Sequence, residues 1–546
     1  MQSYIAPFKE YIKAQASHMA FGSRFYTWSL DTKIEPQMQV EISDCWGGDS
    51  GKGLWLQQGK IGTQGVFWQP GLDFWDHEEA SADWLDVVHG FDWLRDLKAL
   101  GGHQARQTAR AYILDWIKNY DAWHAKTWTM GRLGVRIASW ISFYSFFGAS
   151  ADDAFQYKFF KSLNRQTRHL SRILPDKMSQ GIYSLRAVKA LIYAGLFMPD
   201  SRSLYDQGLE LLIKHLPEHI LSDGGYVSRS PEDLLEAVQI LLDLKTVLLQ
   251  NNLGSPEIQF ALDRAIPALK FFRHGDGRLA VFNGGQLGKT ATLDLVFKRA
   301  GNRSKICSSL PETGYQRLTQ GKTTLLMDTG TCPAAPMDMR AHVAPLAFEM
   351  SYGKDRIFTN CGTNPLDPDW QSMLRATAAH NTLILDDRNA CEVKDSGHIG
   401  RRHNTPEIER QDEKKSVLLQ ASHDGYKALN GFSHKRRLYL CDHGRDLRGE
   451  DIIIRDIDTG VICKTVTIRF HLHPRVNISL LSSGSEALLK CPSGTGWRFT
   501  VKGAKMTLED SLFIGEGVTP RKTKQIVLQT PIFHDQNFVK WALQAE

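Results

Sequence analysis

The chain has 546 residues, of which 42% are hydrophobic and 23% charged. This composition is that of an ordinary globular protein with roughly two to four domains. The 66 basic and 60 acidic residues give a formal net charge of +6 that is spread along the chain, so no nucleic-acid partner is implied, while an anionic substrate would suit it. No stretch approaches about twenty uninterrupted apolar residues, which excludes a membrane-spanning helix.

The N-terminal segment, residues 1–75, is predicted to be irregular with short strands. Charged residues between positions 9 and 18 interrupt any apolar run long enough for a signal peptide, so a cytoplasmic location is expected. The Gly-rich run at 46–54 lacks the spacing of a phosphate-binding loop and is predicted to form turns. The eight cysteines include no Cys-x-x-Cys pair, a pattern typical of free thiols in a reducing compartment.

Residues 76–276 show apolar side chains at helical spacing. Gly, Pro or Asp residues break this pattern at intervals of roughly 20 to 35 residues, which is the rhythm of helical hairpins. The pattern predicts one helical domain. One of its helices places Arg132, Arg136 and Trp140 on a common face at four-residue steps.

The loop at 223–231 joins two of these predicted helices. Its Asp-Gly-Gly turn is followed by Ser230 as the expected N-cap and Pro231 at the first helical position, which fixes the loop tightly. Tyr226 and Arg229 are therefore expected to be held in place. They could face a substrate, or Arg229 could pair with a carboxylate while Tyr226 packs in the core.

From residue 277 to 546 the helical spacing gives way to short period-2 runs separated by turn residues. So many strands after a helical half predict a large antiparallel β-sandwich. Within this half, the stretch 375–387 places His380 and Asn381 where a loop becomes a strand. These two residues could belong to a site, or could form a buried pair that ties one strand to its neighbour.

Several motifs in this order resemble the heparinase II/III-like polysaccharide lyases, from about residue 80 to the C-terminus. The resemblance implies an incomplete (α/α) toroid followed by an antiparallel β-sandwich. It also implies cleavage of uronic-acid polysaccharides, such as heparan sulfate or alginate, by β-elimination. The motifs that carry it lie at 223–231, 273–277, 341–349, 360–362, 377–382 and 469–474.

β-Elimination requires a base beside the carboxylate carbon, a group that neutralises the carboxylate, and an acid for the leaving oxygen. The expected catalytic residues are Tyr183, Tyr226 and His342. Arginine is suited to a carboxylate because its donors are paired. The residues expected to bind substrate are Arg136, Trp140, Arg229, Arg340, Arg375 and Asn381.

The chain also departs from the family pattern. The family carries an Asn-His pair on a toroid helix, and this chain has Ile182 and Tyr183 there. The Tyr that the family places after the Ser-Pro of the loop is replaced by Asp233. Of the family's His-x-His motif in the sandwich, this chain keeps only the second His, His342.

Relatives hold a structural zinc ion with two His and an Asp from the sandwich. The corresponding positions here are His342, Asn360 and His380, and Cys361 beside Asn360 would be the better ligand. The resemblance implies no required cofactor and leaves this zinc ion as an option. The His471-Leu-His473 pair lies on one strand face without an identifiable third ligand, so a structural role is expected for it.

Three functions remain open. The leading one is a lyase acting on an anionic oligosaccharide, with short substrates and exo-type cleavage if the protein is cytoplasmic. The second is a carbohydrate hydrolase, which needs two facing carboxylates, with Asp223, Glu232 and Asp233 as candidates. The third is a glycan-binding regulatory protein of the cell envelope that has lost the chemistry.

Overall fold

The structure, a computed structural model, describes residues 19–63, 66–68, 75, 81–301, 305–405 and 407–546. The chain divides into two compact units. The first comprises Met1–Leu216 and Asp243–Ser255, and the second comprises Pro217–Leu242 and Pro256–Glu546. The segments 217–242 and 256–276, which were expected in the helical domain, thus group with the β-rich part. None of the described helices combines the length and apolar character that a bilayer crossing requires.

Helices dominate the first half of the described chain. In chain order, the α-helices are α1 (Arg24–Ser29), α2 (Ser50–Gln57), α3 (Ala82–Gly90), α4 (Leu94–Leu100), α5 (Gly102–Tyr120), α6 (Met130–Ser142), α7 (Tyr144–Phe147), α8 (Asp153–Ile173), α9 (Ile182–Phe197), α10 (Arg202–His219), α11 (Pro231–Gln250), α12 (Pro256–Phe271), α13 (Thr290–Ala300), α14 (Pro368–Leu374) and α15 (Lys427–Asn430).

The strands lie almost entirely in the second half. They are β1 (Ile61–Thr63), β2 (Val66–Trp68), β3 (Ser309–Leu310), β4 (Tyr315–Gln320), β5 (Thr323–Asp328), β6 (Phe348–Tyr352), β7 (Asp355–Phe358), β8 (Leu383–Leu385), β9 (Ile408–Asp412), β10 (Val417–His423), β11 (Phe432–Cys441), β12 (Asp446–Arg455), β13 (Thr465–His471), β14 (Asn477–Leu480), β15 (Glu486–Lys490), β16 (Gly496–Lys502), β17 (Lys505–Phe513), β18 (Arg521–Pro531) and β19 (Gln536–Ala545).

Helices α6 and α9 form the centre of the first unit. Both are buried over most of their circumference, as expected for inner helices with apolar residues on several faces. They cross at Gly134, where an added Cβ would lie 2.7 Å from the backbone nitrogen of Ala187. Only glycine permits this approach of the two backbones.

The prediction for the Gly-rich run at 46–54 is wrong, because helix α2 begins inside it. The side chain of Asp49 caps this helix by accepting hydrogen bonds from the backbone N–H groups of Gly51 and Lys52, at 2.9 and 3.3 Å. Gly53 lies so close to α4 that a Cβ would be 2.3 Å from the carbonyl oxygen of Asp96. The rest of the prediction for residues 1–75 lies partly outside the described residues, since 1–18, 64–65 and 69–74 are not among them.

Helices also continue beyond residue 277, where the sequence pattern predicted only strands. Helix α13 runs from Thr290 to Ala300 and ends at Gly301, which has the left-handed conformation typical of a helix C-terminus. Leu293 and Val296 are its buried residues, and they are three positions apart, as a one-sided helix requires.

Three antiparallel sheets build the second unit. The largest has eight strands in the order β14-β15-β16-β19-β12-β11-β10-β9, and the others have four strands (β17-β18-β13-β8) and five (β3-β4-β5-β6-β7). Ladder β11–β12 runs over ten residues from Phe432↔Arg455 to Cys441↔Asp446. A helical region followed by antiparallel sheets is the predicted order.

The core between these sheets also contains charges. Alternation along β11 turns His434 and Arg436 inward together with its leucines. Asp451 on β12 accepts hydrogen bonds from His434 Nε2, Arg436 Nε and Trp541 Nε1, at 2.8, 2.7 and 2.9 Å. One buried carboxylate thus joins three side chains of the core, and this cluster is structural.

Candidate active site

The loop at 223–231 is tied to the strand region of its own unit. The carboxylate of Asp223 accepts hydrogen bonds from the backbone N–H and the hydroxyl of Thr313, both at 2.7 Å, and from the N–H of Gly225 at 3.0 Å. Gly224 has a φ of +86°, and a Cβ there would lie 2.0 Å from the carbonyl oxygen of Arg264. Asp223 therefore fixes the loop, which removes it from the carboxylate pair that a hydrolase would need.

Arg229 was expected to meet a substrate carboxylate, but it is buried at the end of this loop. Its Nε, Nη1 and Nη2 donate to the carbonyl oxygens of Thr313, Thr331 and Gly314, at 2.7, 2.6 and 3.2 Å. Nη2 also forms an ion pair with Asp328. The guanidinium thus anchors the loop, and these acceptors use the donors that a substrate would require.

Tyr226 is also buried, with 1% of its surface exposed. Its hydroxyl is 3.1 Å from Nδ1 of His219, and the two rings stack with centroids 5.9 Å apart. A tyrosine in this position packs within the fold. The other interpretation of the sequence, in which Arg229 pairs with a carboxylate and Tyr226 packs, describes both residues.

His342 has both ring nitrogens facing backbone N–H groups. Asn283 N–H lies 3.1 Å from Nδ1 and Gly284 N–H lies 2.9 Å from Nε2. A neutral imidazole has one acceptor nitrogen, so only one of these contacts is a full hydrogen bond. Burial and the charges of His380 and Arg375 hold the pKa of His342 well below its usual value. The ring of His342 therefore holds the 283–284 turn, a structural role that differs from the proton transfer predicted for it.

The four residues predicted to bind zinc do not converge. The rings of His342 and His380 are near each other, with centroids 4.4 Å apart, but His380 Nε2 contacts the carbonyl oxygen of Leu374 at 3.1 Å. Cys361 Sγ lies 3.5 Å from Nδ1 of His471. His380 Nδ1 makes no hydrogen bond within the described residues, but both nitrogens of His342 face backbone N–H groups and Cys361 Sγ faces His471. The four residues therefore offer no converging set of ligand atoms and do not fit a zinc ion.

Asn360 and Asn381 instead join neighbouring strands. Asn360 Oδ1 accepts from the N–H of Asn381 at 3.1 Å, and Asn381 Oδ1 accepts from the N–H of His471 at 2.5 Å. Asn381 Nδ2 donates to the carbonyl oxygen of Phe348 at 2.8 Å. Both side chains are fully buried. The amides replace missing strand pairing, so Asn381 does not bind substrate.

Two of the predicted arginines are likewise structural. Arg375 donates to the carbonyl oxygens of Ala341, Gly397 and Asp338, at 2.9, 2.8 and 2.9 Å. Arg136, in the first unit, is fully buried and its guanidinium lies 4.1 Å from the ring centroid of Trp116. It donates to Gln166, His89 and Thr127. Trp140 is also fully buried, so neither it nor Arg136 reaches a ligand.

In the first unit, helix α9 carries a partly exposed polar face. Tyr183, Arg186 and Lys189 are half-buried and follow one another at three-residue steps. The guanidinium of Arg186 lies 5.3 Å from the ring centroid of Tyr183. Lys189 Nζ is 2.8 Å from Asp243, which also accepts from Trp46 Nε1 at 2.9 Å. Cations beside aromatic rings suit an acidic sugar, and Tyr183 stays a predicted catalytic residue.

Arg340 is the predicted substrate arginine that remains partly exposed, at 32% of its side chain. Its Nη2 donates to the carbonyl oxygen of Gly284 at 2.6 Å and lies 3.4 Å from Glu232. Its Nη1 is 3.7 Å from Asp233. Burial raises the pKa of Glu232, and the negative charge of Asp233 raises it further, while the positive charge of Arg340 lowers it. A substrate carboxylate would meet Arg340 in competition with these two acids.

The structure also shows a histidine that the sequence did not single out. His398 Nδ1 lies 2.7 Å from Oδ1 of Asp338, whose side chain is fully buried while that of His398 is 39% exposed. Asp338 also accepts from the N–H of Ile399 at 3.0 Å and pairs with Arg402. Burial alone would raise the pKa of Asp338, but the hydrogen bonds from His398 and Ile399 and the charge of Arg402 hold it below its usual value.

This pair has the geometry of a general acid–base. An ionised Asp338 accepts a hydrogen bond from Nδ1–H, which leaves the lone pair on Nε2 of His398. In the described part of the chain, no hydrogen bond to that nitrogen is present. Asp338 and Arg340 both lie on the 3-10 turn Met337–Arg340. This turn thus carries the carboxylate that holds His398 and also a cation. No short motif marks the pair, because its members are 60 residues apart.

Comparisons with known proteins agree with the fold. A family model described as "Heparinase II/III-like, C-terminal" matches residues 302–542. The crystal structure of heparinase III superimposes with a TM-score of 0.74 at 14% identity, over 98% of this chain and 91% of that one. A heparan sulfate lyase from Pedobacter heparinus gives 0.62 at 14% identity, over 95% and 87%. These structures confirm the predicted fold class, a helical toroid followed by a β-sandwich.

A curated relative matches most of the chain by sequence. It is FtsZ-localized protein C of Caulobacter vibrioides, which is 31% identical over 488 residues, or 84% of this chain and 81% of the relative. Its name states no reaction. The family model and this identity together confirm the family that the sequence motifs predicted: the chain belongs to the heparinase II/III-like family.

Proposed function

We propose that the protein is a lyase that cleaves an acidic, uronate-containing glycan by β-elimination. The observation that carries the proposal is the His398–Asp338 pair, which supplies a base held by a buried carboxylate on a side chain that is 39% exposed. Arg402 pairs with the same carboxylate, and Arg340 lies on the same turn as Asp338. Membership in a family of polysaccharide lyases supports the same reaction.

In the proposed reaction, His398 Nε2 takes the proton from the sugar carbon that bears the carboxylate. The electron pair of the broken C–H bond forms a double bond to the neighbouring carbon as the glycosidic carbon–oxygen bond breaks, and the departing oxygen takes up the proton that His398 Nε2 now carries. Asp338 stabilises the imidazolium that forms in the first step. Arg340 is the cation suited to the substrate carboxylate, since a guanidinium offers paired donors.

The substrate class is part of the proposal. Arg340 and Arg402, whose side chains are 32% and 33% exposed, are suited to bind acidic sugars such as those of glycosaminoglycans or alginate. We also propose, from the sequence, that the protein acts in the cytoplasm on short oligosaccharides and needs no cofactor for this reaction. A fluorescent fusion that is exported from the cytoplasm would contradict the proposed location.

A panel of heparan sulfate, chondroitin sulfate and alginate oligosaccharides tests the reaction. Elimination creates a double bond conjugated to the carboxylate, so ultraviolet absorbance should rise. The rise should be lost with His398→Ala and kept with His534→Ala, a control at an exposed histidine away from the pair. No rise with any glycan, or an equal rise with His398→Ala, would refute the proposed roles.

A second candidate function is glycan binding without turnover. Two observations favour it: the Asn and Tyr expected from the family are replaced by other residues, and the curated relative is named for localisation with FtsZ. In this case the protein would bind an acidic oligosaccharide unchanged, and a fluorescent fusion would follow FtsZ in the cell. Binding by calorimetry without any product in the absorbance assay would favour this function over the lyase.

A further inference from the structure

Two cysteines and a histidine meet in the second unit, away from the zinc positions that the family resemblance implies. Cys332 Sγ lies 3.6 Å from Cys391 Sγ. His403 Nδ1 lies 3.9 Å from Cys332 Sγ and 3.0 Å from Cys391 Sγ. In the part of the chain that the structure describes, this is the one group of three or more His, Cys, Asp or Glu residues whose ligand atoms lie within 4.8 Å of one another.

The histidine is oriented as a metal ligand would be. Its Nε2 lies 3.1 Å from the carbonyl oxygen of Gly330, which accepts the ring N–H. The lone pair is therefore on Nδ1, the nitrogen that faces the two sulfur atoms. Histidines that bind metal ions characteristically donate their other ring N–H to a carbonyl or carboxylate in this way.

The arginines that precede His403 fix the backbone next to both cysteines. Arg402 donates to the carbonyl oxygen of Cys332 at 3.1 Å. Arg401 donates to the carbonyl oxygens of Asn389 and Ala390, at 3.0 and 2.7 Å, immediately before Cys391. The three candidate ligands are thus held in place by their own neighbours, which lowers the cost of assembling a site.

The distances match those of a tetrahedral metal. With bonds of about 2.3 Å to sulfur and about 2.05 Å to nitrogen, a tetrahedral zinc ion separates two sulfurs by about 3.8 Å and a sulfur and a nitrogen by about 3.6 Å. The observed separations are 3.6, 3.9 and 3.0 Å. To reach this geometry the contact between Cys391 and His403 has to widen by about 0.6 Å, and the other two separations change by only about 0.2–0.3 Å.

The surroundings favour a soft divalent cation. All three residues are buried, and Val343 and Ile399 pack against the cysteines. Two thiolates and one Zn²⁺ sum to zero charge, which an apolar site accepts far more readily than an unpaired charge. A surface cavity of 480 Å³ borders Cys391, whose side chain is itself fully buried.

We propose that Cys332, Cys391 and His403 form a zinc site with two sulfur ligands, one nitrogen ligand and one position open to water. The site would link the segment at 328–333, where Asp328 and Thr331 hold Arg229, to the segment at 389–403, which carries His398. It would therefore brace the candidate active site without taking part in its reaction, and it does not depend on the proposed lyase activity.

Metal analysis of the full chain tests this proposal. Wild-type protein, purified under reducing conditions and dialysed against zinc, should retain about one equivalent of zinc. Cys391→Ser and His403→Gln should retain none above background. Cys361→Ser and Cys463→Ser remove buried thiols elsewhere and should retain the wild-type content. Zinc that is absent from the wild type, or equally bound by Cys391→Ser and His403→Gln, would overturn the site.

Cobalt titration of the wild-type protein gives an answer even if the variants fail to fold. Co²⁺ bound by two thiolates should show intense sulfur-to-metal charge-transfer absorption in the near ultraviolet, together with the visible bands of tetrahedral cobalt. Absence of both would refute the site. Mass spectrometry of the protein before metal addition distinguishes the alternative, because a Cys332–Cys391 disulfide that forms in place of metal binding would lower the mass by two hydrogens.

Discussion

Arg229 gives the sharpest contrast between binding a substrate and holding the fold together. Arg229→Lys keeps the positive charge, and the lysine ammonium can still reach Asp328. It cannot also serve the carbonyl oxygens of Thr313, Gly314 and Thr331, which Arg229 binds at 2.7, 3.2 and 2.6 Å. The carbonyl oxygen of Gly314 still accepts from the N–H of Thr329 at 2.9 Å, so those of Thr313 and Thr331 are the two left unpaired. Two buried acceptors left unpaired cost about 1–3 kcal/mol each, so we expect the free energy of unfolding to fall by about 4 kcal/mol.

Urea denaturation of wild type and variant measures this loss as a lower transition midpoint, followed by circular dichroism. Arg340→Lys is the matched control, because that side chain is 32% exposed and donates to one carbonyl oxygen. Its free energy of unfolding should change by less than about 1 kcal/mol. A wild-type midpoint for Arg229→Lys, together with weaker binding of an acidic oligosaccharide, would show that Arg229 contacts substrate after all.

Three further predictions concern pH and two side chains. Burial lowers the pKa of His89 to about 3 and that of His380 to about 4. Unfolding therefore takes up protons below about pH 6.5, and the free energy of unfolding decreases as the pH is lowered, by ~2 kcal/mol per ring at pH 5. Thermal melting from pH 7.5 to 5 should show this decline, and an unchanged Tm would contradict it. Asp338→Asn should lower kcat about 10²–10⁴-fold in the absorbance assay, because His398 loses its partner; an unchanged kcat would exclude that role. Tyr226→Phe should cost about 1 kcal/mol in urea denaturation and leave kcat unchanged, whereas a large loss of kcat would restore Tyr226 as a catalytic residue.

The coarse architecture could be read from the sequence because it depends on local periodicity. Helical spacing over 76–276 and period-2 runs thereafter are properties of neighbouring residues, and they predicted helices followed by antiparallel sheets. The pattern failed where tertiary contacts decide. The glycines of α2 form a helix because Asp49 caps it and α4 packs closely against Gly53. The cap lies in the run itself, but the contact with α4 joins residues more than 40 positions apart and cannot be seen in a local window.

Site residues were harder to predict, since their roles depend on distant partners. The loop at 223–231 was correctly expected to be tight, but Arg229 meets carbonyl groups 84 to 102 residues away. The His398–Asp338 pair spans 60 residues, and Cys332 and Cys391 are 59 residues apart. Such spacings match no short motif, so only the folded chain brings these residues together.

The family resemblance predicted which residues lie near each other in the sandwich more reliably than it predicted what those residues do. It pointed to His342, Asn360 and His380, and the rings of His342 and His380 do lie near each other. Both nitrogens of His342 face backbone N–H groups, and the amide oxygen of Asn360 accepts from the N–H of Asn381. Where the family has a carboxylate ligand, this chain has an amide, and here that amide joins two segments of the sandwich.

The identity of the bonds made and broken is the most direct test of the proposed function. Wild-type protein would be incubated with uronate oligosaccharides in H₂¹⁸O, and the products weighed by mass spectrometry. β-Elimination predicts two fragments whose masses sum to that of the substrate, with no solvent oxygen and an unsaturated sugar at one new end. Fragments that together gain one labelled water would show hydrolysis, and intact substrate would show binding alone; either result would contradict the lyase.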